Sequence, residues 1–108
     1  MDIPDTIEDQ IDDKGGLEDI GRSVPEEGEI IRRSSVYKAL SDPIRLRVMY
    51  LLQEQDLCVC CIKELVNMPD SNLSYHLTRL KEAGLIRGKQ EKNRIIYQPT
   101  ERAWEVLQ

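Results

Sequence analysis

The stretch from Asp70 to Leu85 constrains this chain more than any other. Leu73, Leu77 and Leu80 recur at i, i+4 and i+7, the spacing that stacks apolar side chains on one face of a helix. The pattern stops at Ala83-Gly84-Leu85, where glycine supplies a left-handed terminator and the following leucine folds back on the last turn. Asp70 or Ser71 is placed to cap the start of this helix. Its other face presents Ser71, Asn72, Ser74, Tyr75, Thr78 and Arg79, with no carboxylate until Glu82. Short hydrogen-bonding groups, one aromatic ring and one guanidinium suit a helix laid against nucleic acid, because carboxylates there would repel phosphates. An ordinary solvated face is the bland alternative, but such faces commonly mix Glu with Lys, and this one does not.

The elements on either side narrow the fold. Ile62 and Leu65 predict a short buried helix over about residues 60–66, closed by the turn Asn67-Met68-Pro69. After Gly84, residues 85–89 and 94–98 read as two strands joined by Gln90-Glu91-Lys92-Asn93, with Asn93 offering the positive φ of a tight hairpin. Strands this short must pack on the helices. Arg87, Lys89, Lys92 and Arg94 put four cations around that hairpin against Glu91 alone, which suits phosphate or minor-groove contact. A charged edge that resists aggregation would look the same.

Upstream, Pro25-Glu26-Glu27 suits a helix start, and that helix should run to about Leu40. Ile30, Tyr37 and Leu40 form one stripe on it, with Ile31 and Val36 off the stripe as a second apolar surface. Ser41-Asp42-Pro43 breaks the chain, and Asp42 can cap a helix over about residues 43–53 carrying Ile44, Val48, Leu51 and Leu52. Residues 56–59 read as a brief strand, and Thr100 caps a terminal helix with Trp104 and Leu107. The predicted fold class is mainly α with a small β-hairpin. Two helices joined by a tight turn, then a charged hairpin, make the winged helix-turn-helix plan.

A net charge of −5 argues against nucleic acid until it is divided. Residues 1–29 hold eleven acidic and two basic side chains, a balance of −9, and the remaining nine acidic and thirteen basic give +4. The acidity belongs to a leader, and the rest is basic enough to approach DNA. Residues 1–24 hold Pro4, Gly15-Gly16 and Gly21 among many acids and read as a mostly disordered leader. The i, i+4, i+8 spacing of Ile3, Ile7 and Ile11 leaves a short amphipathic helix as the alternative. Residues 25–108 form the one domain that this length allows. No apolar run approaches the ~18 residues of a membrane span, and the acidic N-terminus does not resemble a secretory signal. A cytoplasmic protein without membrane contact is expected. Glycine-rich phosphate loops and paired carboxylates in apolar settings are both missing, so an enzyme is not expected.

Cys58, Cys60 and Cys61 are odd in number and crowded into four positions, which fits a metal or redox site better than a disulfide framework. Their place at a helix start favours thiolate. Three readings stand: ligands for As(III), Sb(III) or a soft divalent ion; a thiol redox switch; or small buried apolar residues. Neighbours on a helix diverge by about 100°, so joint use of Cys60 and Cys61 predicts that the helix start unwinds. His76, between the two faces of its helix, reads as a packed, hydrogen-bonded residue rather than a ligand. A structural zinc module on these four residues would lack the usual CxxC pair.

Three stretches carry a resemblance. Ala39-Leu40-Ser41-Asp42-Pro43-Ile44-Arg45-Leu46 resembles the opening segment of the ArsR/SmtB family of metal-sensing repressors. Leu57-Cys58-Val59-Cys60 is similar to that family's cysteine box, and Ser71 through Ile86 to its recognition helix. The resemblance implies a homodimer held by its first and last helices, double-stranded operator DNA that is an imperfect palindrome, and repression relieved by an effector. It implies DNA contacts by Ser71, Asn72, Ser74, Tyr75, Thr78, Arg79, Lys89, Lys92 and Arg94, and an effector site at Cys58, Cys60 and Cys61, with no cofactor needed for DNA binding. The chain departs from the family's arsenic box, since Lys63 stands where a third cysteine is common and Cys61 appears instead. Residues 1–57 hold no cysteine, and the last helix holds no histidine for a zinc site. A redox-sensing repressor of the same fold and a winged-helix protein-interaction module remain the alternatives.

Overall fold

A computed structural model describes residues 2–107 as two compact units, divided between Ile31 and Arg32. The first unit holds α1 (Asp5–Asp13) and α2 (Leu17–Arg22), and the division falls within α3 (Glu27–Leu40). Here the structure departs from the disorder favoured for the leader. Pro4 precedes α1, and Asp5 and Glu8 stand in its first turn, where their charge favours the helix dipole. Neither α1 nor α2 buries a residue.

The second unit continues with α4 (Pro43–Glu54), β1 (Leu57–Cys58), α5 (Val59–Val66), α6 (Asp70–Glu82), β2 (Ile86–Glu91), β3 (Arg94–Pro99) and α7 (Glu101–Val106). Asp42 caps α4 as expected, accepting from the N–H groups of Ile44 at 2.8 Å and Arg45 at 3.1 Å. The strands form an antiparallel sheet in the order β1-β3-β2, a winged helix-turn-helix arrangement with one strand beyond the hairpin. The core is built from Val36 and Ala39 of α3, Val48, Met49 and Leu52 of α4, Ile62 and Val66 of α5, and Leu73, Leu77 and Leu80 of α6. Leu85, Ile86 and Tyr97 in and beside the sheet, with Ala103 and Leu107 at α7, complete it.

Several details differ from the sequence reading. On α3 it is Val36 that is buried, while Tyr37 is 60% exposed. On α5 the helix begins one residue early, at Val59, and buries Val66 rather than Leu65, which is 55% exposed. Asp70 is the first residue of α6 rather than its cap; Pro69 occupies the N-cap, and Asp70 instead pairs with Lys63 of α5 at 2.7 Å. At the hairpin Lys92, not Asn93, takes the positive φ of 55°, because the register pairs Glu91 with Arg94 and leaves Lys92-Asn93 as a two-residue turn. The terminator behaves as predicted: Gly84 has φ 74° and the Leu85 N–H bonds the Leu80 carbonyl at 3.0 Å. Thr100 caps α7 through Ala103 N–H and donates its hydroxyl to the Gly84 carbonyl at 2.7 Å, tying α7 to the end of α6. Among the described residues, no helix is long and apolar enough to cross a membrane.

Candidate nucleic-acid interface and thiol cluster

Burial of Leu73, Leu77 and Leu80 fixes how α6 is rotated, and the opposite side follows from helical geometry. Ser71, Asn72, Ser74, Tyr75, Thr78 and Arg79 are all exposed on it. The Arg79 guanidinium stands 5.7 Å from the centre of the Tyr75 ring, close enough for cation–π attraction. Its only described carboxylate partner is Glu82, a loose pair at 3.9 Å.

Lys89, Lys92 and Arg94 are exposed on the hairpin. The pairing of Arg87 with Gln98, Lys89 with Ile96 and Glu91 with Arg94 puts Arg87, Lys89 and Arg94 on one face of the ribbon. Arg87 does not reach the tip: its Nε donates to Gln98 Oε1 at 3.0 Å, and Gln98 donates on to Asp56 at 3.2 Å. Gly88 lies opposite Tyr97, where a Cβ would stand 2.8 Å from Ile95 Cγ2. A larger residue there would have to displace the Ile95 side chain.

His76 takes the structural role. Arg45 of α4 donates from Nη1 to its Nδ1 at 3.1 Å and from Nε to the Ala39 carbonyl at 2.7 Å. Guanidinium only donates, so Nδ1 is the acceptor in this contact. The sequence offered one clue to this bracket, the position of His76 between the polar and apolar faces of its helix.

The three cysteines are free thiols, and their sulfurs lie within 4.8 Å of one another. Cys58 Sγ is 2.7 Å from Cys60 Sγ and 3.5 Å from Cys61 Sγ. The three sulfurs come this close with the start of α5 still helical. Cys58 is the N-cap of α5, in extended conformation (φ −79°, ψ 164°), so its side chain turns over the first turn of the helix. Cys60 and Cys61 diverge from each other yet both converge on it.

That position also shapes the acidity. The Cys60 thiol, the Cys61 N–H and the Cys61 thiol hold Cys58 down to about 7 against the opposing effect of burial. Cys61 is pushed up, first by its hydrogen bond to Cys58 and then by the charge there. A thiol held down in the folded state adds stability at high pH, and that contribution is lost as pH falls through about 7. Thiolate absorbance at 240 nm should therefore show a first step near pH 7 that disappears in Cys58→Ser. A single step in the ordinary thiol range would contradict this geometry.

The family model "Bacterial regulatory protein, arsR family" matches residues 42–87, from the cap of α4 into β2. An uncharacterized HTH-type transcriptional regulator of Methanocaldococcus jannaschii is 36% identical over 61 residues, 56% of this chain and 68% of that protein. The arsenical resistance operon repressor of Bacillus subtilis is 43% identical over 60 residues, covering 54% of this chain and 57% of the repressor. The chain thus spans about two thirds of one relative and little more than half of the other. Among solved structures, the homodimeric winged helix-turn-helix DNA-binding domain of a possible ArsR-family regulator from Mycobacterium bovis superposes with a TM-score of 0.69. It is 26% identical, over 73% of this chain and 74% of that one.

Proposed function

This chain belongs to the arsR family of bacterial regulatory proteins, and from that premise we propose that it is a homodimeric, sequence-specific repressor whose operator affinity is set at Cys58, Cys60 and Cys61. The observation that carries the DNA reading is the exposed, carboxylate-free face from Ser71 to Arg79, locked outward by three buried leucines. In this reading that face enters the major groove, and Lys89, Lys92 and Arg94 touch phosphates beside it. The dimer is supported by the homodimeric Mycobacterium bovis domain of the same fold and by exposed Tyr37 and Trp104 on the two helices expected to meet. Two-fold symmetry then spaces the recognition helices by about 34–36 Å and calls for an imperfect palindrome. A cytoplasmic location goes with this reading.

The donor set fits a soft effector. Three free sulfurs converge, and one of them is ready to lose its proton near neutral pH. As(III), Sb(III) or a soft divalent ion held by Cys58, Cys60 and Cys61 would close three thiolates around one centre. Two routes lead from there to DNA. Cys58 pairs with Ile96 of β3, the strand that continues into the hairpin tip. It also caps α5, whose Lys63 holds Asp70 at the start of α6. A shift of Cys58 therefore reaches the hairpin and the recognition helix together. The 2.7 Å approach of Cys58 and Cys60 favours a second reading, redox sensing. There the two thiols form an S–S bond while hydrogen peroxide accepts their two electrons and protons and leaves as two waters.

Operator titrations across a salt series test the DNA reading. Lys92→Ala or Arg94→Ala should reduce the salt slope by about 0.9 for each phosphate no longer neutralised and weaken all sequences alike. Ser74→Ala or Tyr75→Ala should instead remove about 1–3 kcal/mol of discrimination at particular base pairs. Slopes unchanged by the first pair would remove the hairpin from the interface. We also propose that the acidic leader, residues 1–24 ahead of the domain from residue 25, screens nonspecific DNA. Its deletion should strengthen binding to random duplex at low salt; weaker binding would instead give it a packing role.

A further inference from the structure

A cleft of about 280 Å³ between α3, α4 and α6 is lined by Ser35, Lys38, Arg45, Arg79 and Glu82. It belongs to neither the sulfur cluster nor the hairpin. Three cations face it against one carboxylate. The Lys38 ammonium has no partner among the described residues. Arg45 is held in place by the Ala39 carbonyl and His76, which use Nε and Nη1 and leave its Nη2 hydrogens without a described partner. The Ala39 carbonyl would repel an anion, but Arg45 Nε covers it at 2.7 Å. Glu82 is the weak point of this positive set, and its pair with Arg79 at 3.9 Å is exposed and loose. The volume is several times the roughly 30 Å³ of a water in the liquid, enough for a tetrahedral oxyanion with part of its hydration.

We infer that this cleft is a phosphate site, with Lys38, Arg45 and Arg79 as its cationic ligands and the Ser35 hydroxyl as a further donor. A fixed guanidinium and a free ammonium at the edge of one polar helix face are a recurrent way to hold phosphate oxygens. Arg79 joins the cleft to the Tyr75 side of α6, so the phosphate of a duplex lying against that face and free inorganic phosphate are the two sources of the same ligand. The DNA source rests on the function proposed above; the free-ion source does not.

The test has two arms on the full chain. The first titrates inorganic phosphate, at ionic strength held constant with chloride, into wild type, Lys38→Ala, Glu82→Gln and Lys92→Ala, following amide shifts by NMR. The second measures operator affinity against salt for the same four proteins. Lys38→Ala should weaken phosphate several-fold and Glu82→Gln should tighten it, while Lys92→Ala, at the hairpin tip, leaves it unchanged. If the backbone phosphate of DNA is the ligand, Lys38→Ala also lowers the salt slope by about 0.9 per phosphate, about twice that for a dimer. A normal slope with weakened phosphate binding assigns the site to the free ion. Phosphate binding that is absent, or abolished equally in Lys92→Ala, together with an unchanged Lys38→Ala slope, overturns the inference. Failure of wild type to bind any duplex would count against the proposed function, and the phosphate arm would still decide the cleft.

Discussion

Leu80→Ala is expected to cost about 2–5 kcal/mol of folding stability. Leu80 is fully buried at the centre of the core that joins α4, α5, α6 and the sheet, so truncation leaves a cavity that rigid neighbours fill only in part. In a domain of this size each kcal/mol corresponds to roughly 4–8 °C of melting temperature. The paired control is Leu65→Ala. Periodicity made Leu65 a core residue, but it is 55% exposed, and its truncation should stay within about 0.5 kcal/mol. Urea unfolding at one fixed protein concentration measures both, because a dimer's stability depends on concentration. Equal costs at the two positions would mean that α5 packs by a different face than the one described.

Cys58→Ser should bind operator as wild type does and lose the response to effector, a loss of about 5–150-fold if the coupling is the usual 1–3 kcal/mol. Cys60→Ser should behave the same way and Cys61→Ser should be intermediate, in keeping with sulfur separations of 2.7 and 3.5 Å from Cys58. Operator anisotropy is followed against As(III), and separately against hydrogen peroxide. Release by As(III) alone selects metalloid sensing, and release by peroxide alone selects the disulfide switch. Since Cys58 is laddered to Ile96, the effective reagent should also change hydrogen-exchange protection across residues 94–99. That change should vanish in Cys58→Ser. A wild-type affinity indifferent to both reagents would leave Cys58 as a core residue beside two exposed thiols and end the switch hypothesis.

Much of the second unit was legible from residue order, for a physical reason. Asp42, Gly84 and Thr100 act on the backbone within a few residues, so their caps and terminators are local chemistry and appear where the sequence places them. The leucine spacing of α6 likewise settles which side faces the core, and with it the polar side that carries Ser71 to Arg79. Where the signal was weaker, tertiary packing decided. A two-turn helix such as α5 can be rotated by a fraction of a turn at little local cost, so packing against α4 and β3, not periodicity, chose Val66 over Leu65. The hairpin turn was settled by the ladder, which set the register and so gave the positive φ to Lys92.

The functional geometry depended most on tertiary structure. Sequence alone determined that three cysteines crowd a helix start ahead of a DNA-type helix. It could not show their convergence, because that depends on the extended backbone at Cys58, which β1 adopts only by pairing with β3, some forty residues along the chain. The same pairing joins the sulfurs to the hairpin. The cleft of Lys38, Arg45 and Arg79 likewise draws on three helices whose meeting no local pattern encodes. Capping, termination and amphipathic rotation are short-range effects carried by neighbouring residues. The sulfur cluster, its link to the hairpin and the cationic cleft arise where distant segments are packed together by a shared core.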